Sequence, residues 1–117
     1  MYNLNDIKDI ANGDQEFLRT LIKTFIVEVP PDANGLSEAV ENGNAALAYQ
    51  YAHKLKPNLK SFGLNLDFEI GVIENWSERK TEQENAAKAS LAISSTIHKV
   101  IKSLRDCLLY TSPSPRD

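Results

Sequence analysis

The apolar positions along this chain recur every three or four residues, and almost nowhere do they alternate. Phe17, Leu18, Leu21, Ile22, Phe25 and Val29 share one broad face, the spacing of an amphipathic helix. Asp14 is placed to cap that helix, with Glu16 near its positive end. Pro30 and Pro31 would leave the carbonyls of Ile26 and Val27 without helical donors, which predicts a kink or break. The period resumes through Ala33, Leu36, Ala39 and Val40, and "ENGN" ends it. A further helix is predicted from about Ala45 to Gly63. Another begins near Asn65 with Leu66, Ile70, Ile73 and Trp76 in register, and fades into "SERKTEQEN". Thr81, with Glu84 three residues on, is a capping-box signature for the last helix, whose buried stripe is Ile93, Ile97, Ile101 and Leu104. Upstream, "LNDIKDIA" spaces Leu4, Ile7 and Ala11 for a short helix before the break at "NGD".

Four amphipathic helices with short connections predict an all-α fold, an antiparallel four-helix bundle with a short extra N-terminal helix. A length of 117 residues suits one core, and the bundle is expected over residues 1–106. Residues 107–117 are expected to stand outside it. The stretch "LLYTSPSPRD" has no apolar period to dock, and its prolines and serines cannot continue a helix. It resembles translated adapter or vector sequence, the alternative being a native disordered tail, and it carries none of the functional reading.

Charge and cysteine content narrow the function classes. A net charge of −3 gives no basic footprint for nucleic acid. No apolar run approaches the roughly 20 residues of a membrane span, and no signal-peptide pattern opens the chain. The single cysteine, Cys107, excludes an internal disulfide framework and is weakly suggestive of a reducing cytoplasm. There is no glycine-rich phosphate loop.

One stretch does not read as packing alone. "AHKLKPNLKSFGL", residues 52–64, puts a histidine, two repelling lysines and a proline on the helix predicted from Ala45. At 100° per residue, Leu55, Leu59 and Phe62 fall roughly 180–240° from His53. Lys56 and Lys60 share the histidine's side, as do Ala46, Tyr49, Gln50 and Pro57. His53 is therefore expected on the solvent face, opposite the core. An exposed imidazole keeps a nitrogen lone pair near neutral pH and can act as a nucleophile. A phosphoryl group accepted there brings close to two negative charges. Each lysine within about 4 Å would then gain roughly 1 kcal/mol in bulk-like dielectric, and at most about 4 near a protein surface. Without the phosphate the same lysines only repel one another.

These residues resemble the phosphoacceptor motif of histidine-containing phosphotransfer domains, which is Ala-His, then leucine two residues on, lysine at three and glycine at ten. His53, Leu55, Lys56 and Gly63 stand at those positions, and "NGDQEFLRTLIKTF" is similar to the family's second helix. The resemblance covers about residues 3–105. It departs at Pro57, where the family carries a small residue, commonly glycine. Proline also sends no long side chain over the imidazole, but it frees the His53 carbonyl and is expected to bend the helix. For Gly63 a helix-capping role weighs equally with a role at the site.

The resemblance implies a non-enzymatic phosphorelay carrier in two-component signalling of the bacterial type. His53 would take a phosphoryl group from the aspartate of a response-regulator receiver domain and pass it to another receiver. Lys56 and Lys60 would steady the phosphate, and Ala46, Tyr49, Gln50, Pro57, Gly63 and Leu64 would form the receiver-docking face with part of the preceding helix. No cofactor or metal is expected on this chain, since the receiver supplies the magnesium. The expected partners are receiver domains and a hybrid histidine kinase, and the chain is expected to be a cytoplasmic monomer.

Three other readings compete. A histidine-kinase dimerisation helix normally carries an acidic residue right after the histidine, and here that residue is Lys54. A metal-carrying bundle needs several inward His and Glu ligands, whereas Gln50 and Ser95 stand three residues before the two histidines, His53 and His98. His98, beside the Ile97 stripe, is expected at the core boundary. A non-catalytic helical adaptor remains the alternative function, because bundles host many roles.

Overall fold

The computed structural model describes residues 14–111, with side chains over residues 14–106. It is all-helical: α1 spans Gln15–Glu41, α2 Ala45–Ser61, α3 Asp67–Ser77 and α4 Gln83–Thr111. The helices pack in a ring, α1 against α2 and α4, and α3 against the same two neighbours. Cross-helix pairs fix the sense. Phe25 meets Phe62, Asp32 meets Lys54 and Gly35 meets Tyr51, so rising numbers on α1 face falling numbers on α2. Val40 with Gln83 and Ser37 with Ser90 and Ser94 give α1 and α4 the same relation. The chain is an antiparallel four-helix bundle. The predicted N-terminal helix lies outside the described residues.

The stripes read from the sequence meet in one core. Ile22, Phe25, Val29, Leu36, Leu55, Leu59, Ile70, Ile73, Ile93, Ile97 and Leu104 are buried, with Trp76 packed against them half-buried. At Gly35 the Tyr51 ring of α2 fills the space that a Cβ would need, so a larger residue there would displace it.

Three of the helix ends share one capping device. After α1, Gly43 adopts φ +72° while its N–H bonds to the Val40 carbonyl and that of Asn44 to Ala39. After α2, Gly63 adopts φ +68°, with its N–H on Lys60 and that of Leu64 on Leu59. After α3, Arg79 adopts φ +63°, with its N–H on Trp76 and that of Lys80 on Asn75. All three are Schellman motifs, in which a left-handed residue reverses the chain and the N–H groups that follow satisfy two orphan carbonyls. Asn44 then caps α2 by accepting from the Leu47 N–H, as Asp14 caps α1 by accepting from Phe17.

Three local expectations are corrected. No break occurs at Pro30 and Pro31, because α1 runs as one helix through both. Val29, Ala33 and Leu36 keep its apolar stripe in the core on either side, and Val27, whose carbonyl loses a donor, is exposed to solvent. By contrast, α2 runs through Pro57 to Ser61 as its period predicts. The capping box at Thr81 does not form. The Thr81 hydroxyl accepts from the Asn85 side-chain amide, while the N–H groups of Asn85 and Ala86 bond to the Glu82 carbonyl. Finally, α4 extends through Thr111, so residues 107–111 of the expected tail are helical. The remainder, residues 112–117, lies outside the described residues.

Candidate functional site

His53 projects from the outer face of α2 and is exposed, while Leu55, two residues on, is fully buried. This is the disposition that the helical period predicts. One turn back, the exposed Tyr49 ring lies parallel to the imidazole, with centroids 6.1 Å apart and an 8° angle between planes.

The other predicted residues divide into surface and support. Ala46, Gln50, Pro57 and Lys60 are exposed, and with Tyr49 they surround His53 on one face. Lys56 is half-buried rather than fully in solvent, so its aliphatic stem packs while its ammonium group can still reach water. Gly63 is explained by the left-handed turn that ends α2. Leu64 does not belong to the docking face: it is 3% exposed. The Schellman reversal at Gly63 brings the Leu64 N–H onto the Leu59 carbonyl and turns Leu64 inward, against the exposed place that the resemblance implied for it. The exposed face around His53 thus comprises Ala46, Tyr49, Gln50, Pro57 and Lys60.

A residue assigned no site role from the sequence sits at the edge of this face. Lys54, directly after the histidine, forms a 3.2 Å ion pair with Asp32 of α1. Asp32 is buried and Lys54 largely exposed, so the pair runs from the helix interface out to the site's rim. The departure from the acidic residue of kinase dimerisation helices therefore coincides with a structural tie. No single-helix pattern could reveal it, because the partner lies on another element. His98 is exposed rather than at the core boundary, and it lines a groove between α1 and α4, not the His53 face.

Among the described residues, no group of three or more His, Cys, Asp or Glu side chains could hold a metal ion. No helix among them is long and apolar enough to cross a membrane. Comparison with protein-family models, with curated proteins and with solved structures finds no match for this chain.

Proposed function

We propose that this chain is a phosphorelay carrier of the histidine-containing phosphotransfer type, with His53 as the phosphoacceptor. The observation that carries this reading is the exposed imidazole on the outer face of a bundle helix, with Lys60 exposed and Lys56 half-buried on the same helix. A nitrogen lone pair of His53 attacks the phosphorus of an aspartyl phosphate on a receiver domain. The N–P bond forms as the P–O bond to the aspartate breaks. The receiver keeps its carboxylate, and the proton on the other ring nitrogen passes to solvent. Lys56 and Lys60 offset the charge of the arriving phosphoryl group. Magnesium and the acidic residues of the reaction belong to the receiver, and reversal of the same step loads a second receiver. Ala46, Tyr49, Gln50 and Pro57 give that partner a surface free of acidic groups around the ring.

The test is to mix the purified chain with a receiver domain phosphorylated with radiolabelled phosphate. Acid-labile, base-stable label is expected on the wild-type chain and none on His53→Gln, whose helical circular dichroism should match the wild type. Binding of the receiver without any label on His53 would favour the adaptor reading instead.

A further inference from the structure

We propose that Gly71 is a clearance residue for the phosphodonor: it keeps α3 low beside His53, so that the receiver's backbone can come close there. The proposal rests on the carrier reading of His53. Gly35, Gly43 and Gly63 each have a local cause, the Tyr51 ring for the first and a left-handed turn for the other two. Gly71 has neither. It stands inside α3, outside the left-handed region, and an added Cβ would meet no atom within 4 Å. In a helix interior glycine is less favourable than alanine, because its backbone loses more freedom on folding. The bundle is therefore less stable for having glycine here, and no contact within it explains the choice.

The place of Gly71 in the fold supplies a reason. On α2, Tyr51 and Lys54 turn toward α1, where they meet Gly35 and Asp32. At about 100° per residue, His53 falls about 160° from Tyr51 and about 100° from Lys54, on the side away from α1. Ala46, about 20° from His53 by the same projection, lines a cavity of about 630 Å³ with Trp76, Ser77 and Arg79 at the end of α3. The His53 face therefore borders α3.

On α3 itself, Glu69 and Val72 turn toward α4. Gly71 falls about 160° from Glu69, on the outer edge toward α2. It is the fifth residue of α3, and Pro57 is the fifth from the end of α2. In neighbouring antiparallel helices the two stand level, one turn from His53. A side chain at position 71 would rise beside the imidazole, where Pro57 also offers none that is long and flexible. Transfer requires the aspartyl phosphorus to reach bonding distance of the ring nitrogen, so the receiver backbone that carries it must come down to the bundle surface. Glycine in the adjoining helix admits that backbone without displacing a side chain.

The test compares Gly71→Ala and Gly71→Gln with the wild-type full chain, using two phosphoryl donors. One is a receiver domain phosphorylated with radiolabelled phosphate. The other is phosphoramidate carrying the same label, a donor small enough to need no docking surface. Its P–N bond breaks as the bond from His53 to phosphorus forms, and ammonia leaves. Both variants should melt several degrees above the wild type, since each new residue is a better helix former than glycine and meets no obstacle. From phosphoramidate both should label at the wild-type rate. From the receiver, Gly71→Gln should raise the concentration for half-maximal transfer about tenfold and Gly71→Ala about twofold, with the rate at saturation nearly kept. Ala87→Gln, exposed on the helix diagonal to α2, should alter neither reaction. A half-maximal concentration unchanged in Gly71→Gln overturns the clearance role and leaves His53 as the carrier. So does a lowered Tm or a slower reaction with phosphoramidate, since Gly71 would then serve the bundle or the ring rather than the partner. Absence of receiver-derived label on wild-type His53 overturns the carrier reading itself, and the clearance role with it.

Discussion

Lys56 and Lys60 lie on the same side of α2 as His53 but in different surroundings, which decides how each will tolerate change. Lys60 is exposed and Lys56 half-buried. Glutamine keeps most of either stem, so both replacements should move stability by less than about 0.5 kcal/mol. Their effect on the phosphorylated state should be larger, because only the ammonium groups answer its charge. With both replaced, phosphoryl uptake from a labelled receiver, or the lifetime of phosphohistidine, is expected to fall several-fold and to lose most of its salt sensitivity. Unchanged uptake in the double variant would remove the electrostatic part of the proposal while leaving His53 in place. At this scale much of the site was legible in the sequence. The outward direction of His53 and the burial of Leu55 follow from helical period alone. Leu64 was placed on that face by resemblance alone, and the positive φ of Gly63, which reverses the chain and turns Leu64 inward, has no signature in helical period.

Between elements, the Asp32–Lys54 pair ties α1 to α2 beside the face that presents His53. The asymmetry of its burial makes a directional prediction. Removing Lys54 leaves a carboxylate that is 8% exposed without its cation, whereas Asp32→Asn leaves a neutral amide and a lysine free to enter water. Lys54→Met is therefore expected to destabilise by about 1–2 kcal/mol, reduced from the fully buried case because Lys54 is largely in solvent. Asp32→Asn should cost less, and adding it to Lys54→Met should recover part of the loss. Urea unfolding of the two single variants and the double variant measures this directly, and equal, negligible effects in both singles would show the pair to be ornamental. Such pairings escape sequence reading because Asp32 and Lys54 are separated by a turn and carry no periodic signal. The unbroken α1 has a related cause. Proline rules are local, but Val29, Ala33 and Leu36 hold both sides of the proline pair in one core.

For the molecule as a whole, the bundle was legible because each helix has a wide apolar face and the connections are too short for any but neighbouring, antiparallel packing. The position of α4 in that bundle can be tested with two leucines of the same helix. Leu104 is fully buried, and Leu91 is 72% exposed. Truncating Leu104 removes packing from the common core and leaves a cavity, so Leu104→Ala should cost about 2–5 kcal/mol. Leu91→Ala should stay within about 0.5 kcal/mol, since alanine is the better helix former and little contact is lost. In a small domain each kcal/mol shifts Tm by roughly 4–8 °C, so a thermal melt separates the two variants clearly. The Leu104 variant, measured below its lowered Tm, should still accept phosphate on His53, because the imidazole stands outside the core that Leu104 fills. Comparable losses in both variants would mean that α4 is rotated from the register described. Ile93, Ile97 and Ile101 would then leave the core as well.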